Sequence, residues 1–301
     1  LMDLGEEGPR KLAQWADAEL ASKRPAYLQK FERAAADVVA ARVKAAGGSS
    51  KVDAEVADLR KQSLAVSRGQ GLTKEKIHEV CDPAVQKLGE LMTVTAEQVL
   101  ESKPDLKAAR QELSDLRTTL AAAAAKVPAE KRKGLPAEPA GGADADRALA
   151  DQEALLAVLA TPMTKPDRDV LLANVPLAAR IDPEEAANVL QVNRTRVLLG
   201  IGAQAIDLKL CEAARGHSKD MVERKFFDHA SPVPGKETPW KRAALAGTSA
   251  GGENIYAGST KGAAAFEGWW YSPGHHANMM GKGTRIGVGR EKDHFTQMFG
   301  G

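Results

Sequence analysis

Cysteine is nearly absent from this chain, with only Cys81 and Cys211 in 301 residues. Two thiols so far apart make no disulfide framework and offer no C-x-x-C spacing for a metal, so buried free thiols are expected. Net charge is equally scarce: 42 Lys and Arg against 40 Asp and Glu leave a formal +2. No global pull toward nucleic acid or an anionic membrane follows, and no nucleic-acid partner is expected. The longest basic run, Lys131-Arg132-Lys133, has no interleaved aromatics and reads as solvated linker. No apolar stretch approaches the roughly 20 residues needed to span a bilayer. A charged-then-apolar secretory leader is also missing, although the chain opens on Leu1 rather than methionine, as it would with a leader removed or never included. Aromatics are few and uneven. Before residue 200 there are only Trp15, Tyr27 and Phe31, and of the histidines only His78.

What is present divides the chain in two. Residues 5–126 are rich in Ala, Leu, Glu, Lys and Arg, a composition for helices packed through small residues, and read as three or four of them. Leu28, Phe31, Ala35 and Val38 form one apolar stripe, and Val52, Val56, Leu59 and Val66 another. Thr95-Ala96-Glu97-Gln98 has the form of a capping box, and Pro104 kinks or restarts the helix that follows. Leu106, Ala109, Leu113, Leu116 and Leu120 alternate steps of three and four, a seam too short for a long coiled coil and suited to an antiparallel hairpin or small bundle. Residues 127–146, with three prolines and two adjacent glycines, read as a linker. A helical connector over 147–194 carries a second capping box at Asp182-Pro183-Glu184-Glu185.

From 195 onward Gly, Trp, Phe and His accumulate. The periodicity of Leu198, Ile201, Ala205 and Leu208 predicts one long helix over 195–226, ending near His217-Ser218-Lys219-Asp220-Met221. Phe226-Phe227-Asp228-His229-Ala230-Ser231-Pro232 follows, then a glycine-rich turn, Gly251-Gly252-Glu253-Asn254-Ile255. A helix bearing Trp269-Trp270-Tyr271 leads to the turn Ser272-Pro273-Gly274-His275-His276-Ala277-Asn278-Met279. Two strand-like runs, Arg285–Gly289 and His294–Gly300, close the chain.

These seven motifs, in this order, resemble bacterial members of the CAP superfamily, which includes cysteine-rich secretory proteins, antigen 5 and pathogenesis-related proteins. The resemblance covers roughly a hundred residues of the C-terminal third, taken as 195–301. It implies an α+β chain: a C-terminal α-β-α sandwich, with a small antiparallel sheet between helices, after a mostly α-helical N-terminal region. The region before it resembles no such family.

By motif match the resemblance places His229, Glu253 and His294 at a central cleft. A second glutamate, present in animal and plant members three residues after the helix tryptophan, is missing here. His275 is the expected substitute and Glu267 an alternative, so the cleft set becomes His229, Glu253, His275 and His294. The three histidines are candidate ligands for Zn²⁺ or another divalent metal, because neutral imidazole nitrogens bind such ions, and Glu253 is a candidate general base. His217 reads as a hydrogen-bonded structural residue, and His276 as exposed. Asn254 and Asn278 are expected to cap turns. Ser231 lies near His229 in sequence, but Pro232 follows it and no G-x-S-x-G elbow is present, so a serine nucleophile is disfavoured. Trp269, Trp270, Phe226 and Phe227 are expected in the core. The resemblance thus implies a secreted or envelope-associated module that binds a lipid, peptide or glycan, with a divalent metal as candidate cofactor. The alternatives are a metal-dependent hydrolase of peptide or cell-wall material, and a structural adaptor with a protein partner on the helical region.

Overall fold

The computed structural model describes residues 7–131 and 142–301. In chain order the first helices are α1 (Gly8–Ala45), α2 (Ser49–Ser67) and α3 (Lys74–Lys76), the last continuing through a π-helical turn at Ile77–Cys81 into α4 (Asp82–Met92). Then come α5 (Ala96–Ser102), α6 (Pro104–Ala125), α7 (Gly142–Leu159), α8 (Lys165–Ala178) and α9 (Pro183–Leu199). The remainder is β1 (Ala205–Ile206), α10 (Leu208–Arg224), α11 (Pro239–Leu245), β2 (Gly252–Ala257), α12 (Gly262–Trp270), α13 (Pro273–Met279), β3 (Arg285–Glu291) and β4 (His294–Gly300). Within the expected linker, residues 132–141 lie outside the described residues, while Ala129–Lys131 form a 3₁₀ turn and the stretch from Gly142 already belongs to α7.

The chain divides into two compact units, Leu1–Gly48 with Leu91–Thr161, and Ser49–Glu90 with Pro162–Gly301. This partition differs from the expected succession of 1–126, 127–146, 147–194 and 195–301. The stretch from α2 to α4 belongs with the C-terminal unit, because its polar side chains find partners there.

In the first unit, α1 and α6 run antiparallel. Ala13 and Ala16 meet Leu120 and Ala123, while Phe31 and Val39 share a cluster with Leu106 and Leu113. The expected seam of α6 is therefore its buried face. Leu149 and Ala157 of α7 complete the core. Buried Glu153 there accepts from Tyr27 and, at 2.9 Å, from Arg110 Nε. The box at Thr95 and Gln98 forms as expected.

In the second unit a four-stranded sheet has the order β1-β3-β4-β2. It is mixed rather than purely antiparallel, since β1 pairs parallel with β3 and the other pairings are antiparallel. The long helix expected over 195–226 is two helices. Gly200 (φ 68°) and Gly202 (φ 84°) take left-handed conformations that end α9. Asp207 then starts α10, its side chain accepting from the N–H groups of Lys209 and Leu210. Residues read as turns also differ: Glu253-Asn254-Ile255 lie in β2, and most of the Pro-Gly-His-His segment is α13.

α10 lies on one face of the sheet. Gly287 and Gly289 make that approach possible, because a Cβ at 289 would meet Arg215 N at 1.9 Å and one at 287 would meet Cys211 N at 2.4 Å. On the other face, α9 is tied to β4 by Gln297 Nε2 donating to Asn188 Oδ1 at 3.1 Å, and α12 to β2 by Trp269 Nε1 donating to the Ile255 carbonyl at 2.9 Å. The result is helix, sheet, helix. Buried Arg196 of α9 donates to the carbonyls of Ile201, Gly202, Met279, Gly281 and Gly283, binding the connecting loops to one guanidinium. Cys81 and Cys211 are buried free thiols, as expected.

Candidate functional site

Glu253 is the centre of the site. The β2–β4 register sets it opposite Met298, on the face that meets α10, and its side chain is 1% exposed. A carboxylate so desolvated needs a counter-charge. It comes from Arg242 of α11, itself 2% exposed, whose Nη2 lies 2.8 Å from Oε1 and 2.6 Å from Oε2. Thr238 positions α11 by capping it, its hydroxyl accepting from the Lys241 N–H. The same guanidinium donates to the carbonyls of His229 and Lys236, at 3.1 and 2.8 Å, so it also holds the loop that carries His229.

His229 Nδ1 lies 2.9 Å from Glu253 Oε1, while its side chain is 48% exposed. The Glu253 hydrogen bond holds its pKa above the usual histidine value. His217 of α10 is fully buried, with Nε2 3.1 Å from the Asp228 carbonyl and 3.9 Å from Glu253 Oε1. Burial pushes its pKa down to about 4, so it is neutral at physiological pH. Its Nδ1 has no hydrogen-bond partner among the described residues. His275 of α13 brings its ring centroid to 6.2 Å from that of His229, and burial lowers its pKa.

The expected residues therefore group unevenly. His229 and Glu253 are in direct contact, with His275 beside them. His294 is opposite Ala257, about 13 Å along the strand from Met298, the partner of Glu253. Its Nδ1 is 2.9 Å from Asp293 Oδ1, and its ring lies edge-on to Phe227. Glu267 is exposed and does not join the set. Instead it lines a separate groove of about 370 Å³ with Asp82, Gln191, Phe266, Trp270 and Tyr271. Ser231 is buried, and its hydroxyl accepts from the Val233 N–H.

Three further expectations are corrected. His276 is buried rather than exposed, because α2 covers it: its rings nitrogens bond the Trp270 carbonyl at 2.8 Å and Ser67 Oγ at 2.9 Å. Phe227 is 53% exposed rather than core, since α10 ends at Lys225 in the left-handed conformation and releases the loop. Trp269 and Trp270 are buried as expected. Asn254 and Asn278 do not cap turns. They form a network in which Asn278 Nδ2 donates to Asn254 Oδ1 at 2.9 Å, and Asn254 Nδ2 to Gln297 Oε1 at 2.9 Å.

Among the described residues no group of three or more His, Cys, Asp or Glu side chains is placed to hold a metal ion. The chemistry of the donors agrees. Both Glu253 oxygens face a guanidinium, and the nearest ring nitrogen of His229 faces that carboxylate instead of an open position. Glu253, with both oxygens on Arg242, does not fit as a ligand to a divalent metal.

The model of the cysteine-rich secretory protein family, CAP, matches residues 190–299. Those residues form a CAP domain of bacterial type. The chain is 34% identical over 108 residues to the uncharacterized membrane protein YlbC of Bacillus subtilis, covering 36% of this chain and 31% of that protein. It is 33% identical over 98 residues to the uncharacterized protein YkwD of the same organism, covering 32% and 38%. The chain thus spans about a third of the length of these relatives. It is also similar to an extracellular protein containing an SCP domain from Bacillus anthracis, at 28% identity over 50% of each chain with a TM-score of 0.35. Among the described residues no helix is long and apolar enough to cross a membrane. Sequence reasoning missed Arg242, the group that neutralises Glu253 in the CAP domain. The only available signal was indirect: a glutamate destined for burial requires a cation nearby.

Proposed function

We propose that the CAP domain is a ligand-binding module in which His229 is the recognition group. The observation that carries this reading is a half-exposed imidazole held from behind by a buried carboxylate and guanidinium. Such backing fixes the ring and leaves Nε2 as the nitrogen free to bond a ligand. His275 stands beside it as a second polar contact. A peptide, glycan or lipid headgroup bearing hydrogen-bonding groups suits this surface. The family's secretory description supports a place outside the cytoplasm, extracellular or in the cell envelope.

The test is titration of the ¹⁵N-labelled full chain with muropeptides, short peptides and fatty-acid vesicles. The expected result is saturable shifts centred on His229 and His275, with His229→Ala weakening binding about 10-fold, ~1.4 kcal/mol. Shifts that ignore His229→Ala would sink the reading.

The His229–Glu253 contact favours a second reading, metal-free hydrolysis. His229 Nε2 would take a proton from the attacking water and return it to the leaving group, and Glu253 would steady the imidazolium. Glu253 then orients the base instead of being the base. Turnover of a muropeptide by the wild type and its loss in His229→Ala would establish this reading, and no turnover would leave binding alone.

A further inference from the structure

Glu253 has its counter-charge built into the chain. Two histidines and a glutamate, residue types that elsewhere hold zinc, lie together here: His229 Nδ1 at 2.9 Å and His217 Nε2 at 3.9 Å from Glu253 Oε1. A metal would need their lone pairs. Instead, Glu253 spends both oxygens on Arg242, and both imidazoles turn nitrogens toward oxygen acceptors, the Glu253 carboxylate and the Asp228 carbonyl. The two nitrogens nearest Glu253 therefore carry protons and offer no lone pair to an ion beside that carboxylate; the free lone pairs lie on the other nitrogens, His229 Nε2 and His217 Nδ1. Arg242 is committed elsewhere too, through the carbonyls of His229 and Lys236. A guanidinium anchored at four acceptors is part of the fold and not a mobile side chain that a metal could displace.

We propose that Arg242 stands in for a metal ion at Glu253, and is thereby the positioning residue for His229. Its charge offsets the buried carboxylate, the carboxylate accepts a hydrogen bond from the Nδ1–H of His229, and Nε2 is left as the outward nitrogen. Removing the guanidinium leaves a buried carboxylate with no counter-charge, and a cation then takes the guanidinium's place once an adjacent imidazole turns its free nitrogen inward. The inference concerns the cluster itself and does not rest on the ligand-binding reading.

The experiment is Co²⁺ titration of the full chain, read by visible absorption, with imidazole ¹⁵N shifts as a second readout. Wild type and Arg242→Lys should show no saturable site. Arg242→Ala should bind one equivalent saturably, at Co²⁺ concentrations about 100-fold below those at which wild type shows no uptake, and lose it again in Arg242→Ala/Glu253→Gln. The His229 ¹⁵N pattern should be kept in Arg242→Lys and changed in Arg242→Ala, which a purely structural role of the side chain would not produce. Should Arg242→Ala fail to fold, Arg242→Gln carries the same arm, with the charge removed and much of the volume kept. Wild-type binding of one equivalent that disappears in Glu253→Gln would overturn the proposal. So would a folded neutral variant that gains no site.

Discussion

At the residue scale, two histidines beside one carboxylate behave in opposite ways. His229 is half exposed, and its bond to Glu253 raises its pKa. His217 is buried, and its pKa falls to about 4. The folded state thus favours neutral His217, whereas the unfolded chain protonates it near its ordinary value of 6.5. Its contribution to stability is complete above that value and is lost as pH falls from 6.5 toward 4. The loss is on the order of 3 kcal/mol. His217→Gln should show a flatter decline across that window in urea denaturation, and an equal decline would contradict the assignment. Sequence reasoning took His217 as structural, and its burial agrees. The same reasoning took His276 as exposed, and it could not have found the helix that covers it. The Ser67 partner is contributed by α2, far away in the chain.

At the element scale, the sheet owes its geometry to missing side chains. Gly287 and Gly289 of β3 let the backbone of α10 lie against the strand. Gly289→Ala would drive a Cβ into Arg215 backbone atoms, which cannot retreat as a flexible side chain could. The expected cost is about 3 kcal/mol or more, measured by denaturant unfolding. An exposed position such as Gly235, where a Cβ meets nothing within 4 Å, is the control for space, although its φ of 83° adds strain. Caps and strands at the chain's end were legible because their signals are local: Thr95 with Gln98, Asp182 with Glu185, and the two strand-like runs Arg285–Gly289 and His294–Gly300. The break between α9 and α10 was hidden by an apolar period that continues across Gly200 and Gly202. The strand at Glu253 was hidden because its flanking glycines suggested a turn.

At the scale of the whole molecule, the family match begins at residue 190, while the compact unit containing it also takes in Ser49–Glu90 and Pro162 onward. The added segment makes specific bonds. Arg60 Nε donates to the Leu198 carbonyl at the end of α9, at 2.7 Å, and Arg68 Nε to the Met280 carbonyl at 3.2 Å. Asp82 accepts from Trp270 Nε1 at 2.7 Å and from the Tyr271 hydroxyl at 3.1 Å. A fragment of 162–301 should therefore melt more than about 5 °C below the full chain's C-terminal unit, and Asp82→Ala should cost about 1–2 kcal/mol. Equal melting of fragment and full chain would show that the segment adds no stability. None of this was visible beforehand, because an apolar stripe shows that a helix face is buried without showing what buries it.

One exposed imidazole, His229, rests on a buried, arginine-neutralised carboxylate, while its neighbour His217 is buried and neutral. The most direct test is a pH titration of the histidine ring nitrogens by NMR in wild type and Glu253→Gln. His229 should titrate above 6.5 in the wild type and lower in the variant, while His217 stays neutral until about pH 4. A His229 midpoint at or below 6.5 that ignores Glu253→Gln, or a His217 that titrates near neutrality, would contradict it.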